Sequence, residues 1–349
     1  MCEEAAPAVR LTLHAHQAAA LRQMRARERP AVPLPHPTQR LLPAPPSAGA
    51  LLADCATGSL GIGDVPPVCD TRGGFCCDEP GLGKTITSLA LITKSLGLLP
   101  EAPEGAAAQR ALFSFLDPHT GTERTICGAA YSDAAAPSRP VQQRARVSLR
   151  STVPDEPPAK AARVTKVDAA DDDAAAAAVG AAAHGGDATP LSGATLIVVP
   201  APLVQHWLTQ IVAHVAPGTL RVFCLLDAKA AGISAARLAW DYDVVLTTFS
   251  HLSAAAPTTH FKAMLTGNSK AQHVTLRIHW LRVMLDEGHI LGSAAITARL
   301  TMACALRAER RWLLTGTPTP NTPSAQVAAL RPLLEFLQVQ PYCLSLIHI

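Results

Sequence analysis

One stretch limits what this chain can become. Residues 75–91, FCCDEPGLGKTITSLAL, read as a short buried strand, a glycine turn and the first turns of a helix. Gly81 and Gly83 permit the tight turn and, lacking Cβ, let backbone amides approach a ligand closely. A helix beginning at Lys84 aims its free N–H groups and the positive end of its dipole at that turn. Lys84 is then placed to reach β- and γ-phosphates, and the Thr85 hydroxyl to sit on Mg²⁺. Asp78, Glu79, Pro80, Gly81, Leu82, Gly83, Lys84 and Thr85 thus form a phosphate-binding loop, with one departure. Asp78 stands where the strict pattern has glycine.

Downstream of residue 195 the chain alternates between two kinds of segment. Short apolar runs at 196–199, 220–225, 244–247, 280–285 and 312–314 read as strands, and 202–215, 294–307 and 324–337 as helices. That alternation predicts a parallel sheet covered on both faces. Ligands of such sheets bind beyond the carboxyl ends of the strands, and each further motif lies just past such an end. LRVMLDEGH supplies two adjacent carboxylates, Asp286 to hold a metal ion and Glu287 to polarise an attacking water. Taken alone, Asp-Glu-Gly is also a common polar turn; the phosphate loop and the LTGTP stretch in the expected order favour the catalytic reading. His289 has no partner identifiable by spacing and reads as a coupling residue rather than a metal ligand. Trp207 reads as core packing on its helix, since large aromatics are usually buried.

The rest of the 349 residues bounds the class. Residues 1–72 hold an amphipathic helix at 11–28 with a basic far end, Arg22, Arg25, Arg27 and Arg29, read as a solvated face. A Pro- and Gly-rich loop follows to Arg72. Residues 73–338 form the main domain. Within it, 100–190 reads as a largely disordered insertion too poor in apolar surface to fold, with some order retained between 111 and 130. The net charge of +3 gives no global basic field, so any contact with nucleic acid is local. Nine cysteines show no metal spacing, and Cys76 and Cys77 read as buried free thiols. MCEEAAPAVR carries no apolar signal core, which argues against secretion, and the alanine run near Ala174 is too weakly apolar to span a membrane. Residues 339–349 read as a truncated or artefactual tail, because LSLIHI breaks the expected polar loop and back-translates to a sequence like a transposon end.

Five stretches together resemble the first RecA-like lobe of a SWI/SNF-family ATPase of helicase superfamily 2. They are DEPGLGKT at 78–85, LIVVPAPLVQHW at 196–207, DVVLTTFSHL at 243–252, RVMLDEGH at 282–289 and RRWLLTGTPTPN at 310–321. HAHQAAALRQM at 14–24 resembles the family's adenine-reading glutamine motif and puts Gln17 on the base. DEGH, Pro80 and TPTPN look most like the branch of RING-bearing postreplication-repair ATPases and plant F-box proteins. The resemblance implies a RecA-like P-loop α/β fold, ATP as substrate and Mg²⁺ on Thr85 and Asp286. It implies catalytic roles for Lys84, Asp286 and Glu287, and nucleotide-state coupling through His289, Thr315, Gly316 and Thr317. Pro200, Leu203, Thr247 and Thr248 would meet DNA. Double-stranded DNA or chromatin in the nucleus is the implied partner, with a second RecA-like lobe, absent here, supplying arginines. Gln23 stands where the family has tryptophan, and no RING array or F-box can be read. Two rivals are a catalytically silent ATP-binding scaffold and a small-molecule P-loop kinase; LTGTP and VP-x-x-L argue against the kinase.

Overall fold

The structure, a computed structural model, describes residues 9–10, 12–30, 33–43, 50–55, 58–65, 68–116, 122–132, 188–226, 232–254, 273–292, 297–319 and 323–339. Helix α1 (Ala15–Arg27) buries Gln17, Ala18, Leu21 and Met24. Short strands follow: β1 (Pro33–Leu34), β2 (Gln39–Leu42), β3 (Leu51–Asp54), β4 (Leu60–Ile62) and β5 (Val68–Cys69). The remaining elements are β6 (Gly73–Cys76), α2 (Lys84–Lys94), β7 (Gln109–Leu116), β8 (Glu123–Ser132), β9 (Ala188–Val199), α3 (Val204–His214), β10 (Val222–Leu225), α4 (Ala235–Trp240), β11 (Val244–Thr248), α5 (Phe249–Ala254), β12 (His279–Asp286), α6 (Ala298–Ala305), β13 (Arg307–Leu314) and α7 (Pro323–Leu337).

The central sheet runs β10-β11-β9-β12-β13-β6. Every pair along that path is parallel. The strands read as nearly continuous apolar runs because both faces are covered. Alternate residues go to opposite sides: Leu196, Val198, Val283, Leu285 and Leu313 pack with α4 to α7, whereas Ile197, Val199, Met284, Trp312 and Leu314 pack with α1, α2 and α3. A bulge between Trp280 and Arg282 shifts the phase of β12. Trp280 therefore joins the first cluster, while Arg282 and Asp286 share the other face with Met284. The register places Cys76 beside Leu314, and Leu314 beside Asp286, so the motif-bearing loops leave one edge together. This is the α/β fold expected, a parallel sheet with helices on both faces.

Some boundaries differ from expectation. The stretch from 30 to 72 is not loop throughout: β2, β3 and β4 form an antiparallel meander, and β1 pairs with β5. The prolines flank these two- to four-residue strands or sit at their ends, where the lost N–H is not needed. In the insertion, β7 and β8 form a hairpin, and β8 joins the main sheet through β9. The basic run at 139–166, the acidic run at 168–173 and the tail at 340–349 lie outside the described residues. β13 begins at Arg307 rather than Trp312, its charged residues being drawn into strand by partners. Arg307 donates to Thr189, and Arg310 pairs with Glu28. Arg27 is not merely solvated, donating to Gly73 O at 3.1 Å and to Asp70 at 2.9 Å. No helix among the described residues is long and apolar enough to cross a membrane.

Candidate active site

The loop between β6 and α2 has the turn that the sequence demands. Gly81 and Gly83 take φ of 91° and 83°, and Gly83 is the N-cap of α2. The positive φ of Gly83 favours glycine, and a Cβ there would push aside the Gln17 amide that lies against it. The Lys84 ammonium donates to the Asp78 carbonyl at 2.7 Å and the Glu79 carbonyl at 3.2 Å. It therefore lies folded across the loop, holding the carbonyls that a phosphate would displace it from.

Gln17 sits directly beneath this loop. Its Oε1 accepts from the His14 N–H at 3.0 Å, capping α1, and its Nε2 donates to the Leu82 carbonyl at 3.1 Å. His16 Nε2 lies 3.1 Å from the same carbonyl. A cavity of about 600 Å³ opens between α1 and the loop, lined by His14, His16, Gln17, Gly81, Leu82 and Ile86 among others.

Asp286 ends β12 with 7% of its surface exposed. Its Oδ2 accepts from the indole N–H of Trp207 at 2.7 Å and its Oδ1 from the Glu287 N–H at 3.0 Å. Burial pushes its pKa up, against the pull of these two hydrogen bonds and of Lys84 and His206. Each oxygen has one donor, leaving lone pairs for a metal ion or its water shell. Among the described residues no cluster of three or more His, Cys, Asp or Glu could cage a metal. That donor set suits Mg²⁺, which takes one or two protein oxygens and substrate phosphates.

Glu287 has a left-handed backbone, φ 52°, which turns its side chain out of the strand line. Its Oε2 lies 3.2 Å from His289 Nδ1, and the same nitrogen lies 3.0 Å from Thr315 Oγ1. Thr315 Oγ1 also accepts from the Thr317 N–H at 3.2 Å, and Thr315 N–H donates to Cys76 O at 3.1 Å. A Cβ on Gly316 would stand 2.9 Å from Pro80 Cδ, so the LTGTP turn rests on the phosphate loop itself. His289, partnerless by spacing, thus bridges the DEGH and LTGTP turns.

Of the residues expected to meet DNA, Pro200 and Leu203 are half-buried at the entrance to α3. Thr247 is fully buried and donates its hydroxyl to Leu225 O at 2.7 Å, so its side chain secures β11 to β10 and does not reach a ligand. Thr248 is also buried; its hydroxyl accepts from the His251 N–H at 3.1 Å and caps α5. Cys76 is buried, its thiol raised to about 11 chiefly by burial. Cys77 is exposed, contrary to expectation, because β6 ends one residue earlier.

Sequence reading missed two groups. Trp207 is core, as expected, but its N–H also holds the Asp286 carboxylate; a buried tryptophan with its single donor unassigned was the available signal. Glu28, at the end of α1, accepts from Arg282, Arg310 and Trp312 below the site. No local pattern connects positions so far apart in sequence.

A parallel sheet with helices on both faces, a glycine turn and strand-end carboxylates at one edge define an α/β lobe. The family model of the SNF2-related domain matches residues 16–346, and the chain belongs to that family. It is 52% identical over 153 residues to F-box protein At3g54460 of Arabidopsis thaliana, covering 44% of this chain and 10% of that protein. It is 34% identical over 151 residues to the DNA repair protein RAD5A of Arabidopsis thaliana, covering 43% of this chain and 13% of that protein. The chain thus spans only about a tenth of these relatives. The Sulfolobus solfataricus SWI2/SNF2 ATPase core in complex with dsDNA aligns with 96% of this chain and 38% of that one, at 13% identity and TM-score 0.45. The lobe is an SNF2-related domain, and the relatives it matches include a DNA-repair protein.

Proposed function

We propose that this chain is the ATP-binding lobe of an ATP-dependent double-stranded-DNA translocase working in the nucleus on chromatin or stalled replication intermediates. The observation that carries the reading is the meeting, at one sheet edge, of Lys84, the Asp286–Glu287 pair and the LTGTP turn resting on Pro80. Lys84 and the amides of 81–85 hold the triphosphate, and Gln17 reads the adenine from the adjoining cavity. Thr85 and Asp286 would hold Mg²⁺, which neutralises charge on β- and γ-phosphate oxygens when bound. Glu287 takes the proton of the attacking water. His289, between Glu287 and Thr315, transmits nucleotide state to the LTGTP turn. The entrance to α3, at Pro200 and Leu203, meets the DNA backbone. Relatives described as DNA-repair proteins support the DNA partner.

Lys84→Ala should weaken Mg-ATP binding by ~1.5–3 kcal/mol, the loss of a charge-assisted phosphate contact. Titration with a fluorescent ATP analogue tests it, and equal affinities would reject the phosphate-loop assignment. In a longer form of the protein, duplex DNA should stimulate ATP hydrolysis; a silent scaffold would bind ATP without stimulation.

Gln17 has two tasks on this reading, holding Leu82 and recognising the base. Gln17→Ala should therefore weaken ATP by ~1–3 kcal/mol and inorganic triphosphate by about 1 kcal/mol or less. The gap between the two ligands reports base reading. Equal losses would leave Gln17 as a loop clamp only.

A further inference from the structure

Trp207 occupies the first turns of α3 and is fully buried among residues that include Cys76, Val199, Met284 and Leu314. An indole has one donor and no acceptor, so a buried one needs a partner for its N–H. The partner here is not a backbone carbonyl or water but the Asp286 carboxylate, 2.7 Å away. The Glu287 N–H holds the other oxygen at 3.0 Å. Two donors from two elements, α3 and the DEGH turn, fix the orientation of one carboxylate. Removing a group that orients a metal-binding carboxylate typically costs roughly 10- to 100-fold in metal affinity. α3 begins at the Pro200–Leu203 turn.

We propose that Trp207 is a positioning residue for the metal carboxylate: its N–H sets the orientation in which Asp286 meets Mg²⁺, and through it the placement of α3 sets the metal site. This rests on Asp286 being the metal carboxylate, as read above. The indole makes the metal end of the site answer to the element whose entrance is assigned to DNA. It is a donor no neighbouring side chain replaces, since Trp207 supplies the Oδ2 contact alone among the described hydrogen bonds.

The test separates metal-dependent from metal-independent ATP binding in the 349-residue chain. Trp207→Phe keeps a buried ring and removes the donor. It should lower the gain in ATP affinity that Mg²⁺ confers by about tenfold, while affinity in EDTA stays that of the wild type. Equal weakening in both conditions, or no change in either, would overturn the proposal. Asp286→Asn distinguishes the two readings. If it leaves the Mg²⁺ gain intact, Asp286 is not the metal carboxylate and the Trp207 role falls with that assignment. If it removes the gain while Trp207→Phe keeps it, only the Trp207 proposal fails. Should Trp207→Phe lack a cooperative melt, the wild-type chain serves, with its four tryptophans. The indole N–H resonance displaced by Asp286→Asn must also move when Mg²⁺ is added to the ATP-bound chain. A resonance unmoved by Mg²⁺ would overturn the proposal.

Discussion

Glu28→Ala should cost the lobe ~3–5 kcal/mol, the usual penalty for leaving a buried charge without its partner. Arg282 is the charge at risk: its side chain is fully buried, and Glu28 is 5% exposed. Glu28 Oε1 accepts from Arg282 Nε at 2.5 Å and Trp312 Nε1 at 2.8 Å, and Oε2 from Arg282 Nη2 at 2.6 Å and Arg310 Nη1 at 2.8 Å. Without Glu28, Arg282 keeps, among the described residues, the hydroxyls of Thr195 and Ser95, each at 3.0 Å. The network joins the ends of α1 and α2 to β9, β12 and β13, so its loss loosens the base of the site. Urea unfolding of both proteins measures the difference. A loss under about 1 kcal/mol would mean that water reaches Arg282. Arg282→Met should reduce the cost of Glu28→Ala, since the pair is removed together.

The same group predicts an acid response with a definite sign. Burial works to raise the Glu28 pKa, but Arg282, Trp312 and Arg310 together leave it below the ordinary 4.5. A depressed folded-state pKa contributes stability that is present above the unfolded value and lost as pH falls through the folded one. The difference between wild type and Glu28→Ala should accordingly be full above pH 4.5 and shrink below it.

The legible part of this protein was written locally. Strand runs such as 196–199 and 244–247 carry their own apolar signal, and the glycine turn before Lys84 is read from glycine spacing alone. The order of motifs past strand ends also implies that their loops leave one sheet edge, as the register has it. Long-range chemistry was not legible. Arg282 lies in an otherwise apolar strand and gives no hint that its partner is Glu28, at the end of a helix read as basic and solvated. Thr247 and Thr248 look like available hydroxyls in sequence, yet both are buried and used within the fold. The β7–β8 hairpin was obscured because few of its side chains are buried and it draws order from pairing with β9.

Hydrolysis should be near background for a polypeptide of these 349 residues, and duplex DNA should not stimulate it. On the proposed reading, the lobe supplies the phosphate loop, Asp286 and Glu287, one side of a nucleotide cleft. Charge developing on the transferred phosphoryl group needs cations on the other side as well. Among the described residues, no arginine lines the cavity beside the loop. Arg282 and Arg310 are held by Glu28, and Arg72 by Glu309 and Glu101. Lys84 is the cation in place, and it lies folded onto the loop carbonyls until a phosphate draws it out. Arginines supplied from a second element are worth on the order of 10³ to 10⁵ in rate in other phosphoryl-transfer systems. Joining a second RecA-like lobe from a close relative in cis should therefore raise turnover by roughly that factor in the presence of duplex DNA. Glu287→Gln in the joined protein should return it to background while leaving Mg-ATP binding in place, since the role proposed for Glu287 is on the water and not on the phosphates. The measurement is ATPase rate with and without duplex DNA for the single lobe, the joined protein and the Glu287→Gln variant. Robust DNA stimulation of the single lobe would show that the arginines come from elsewhere, a second copy of the chain being the first candidate, and a rate that rises with the square of protein concentration would identify it.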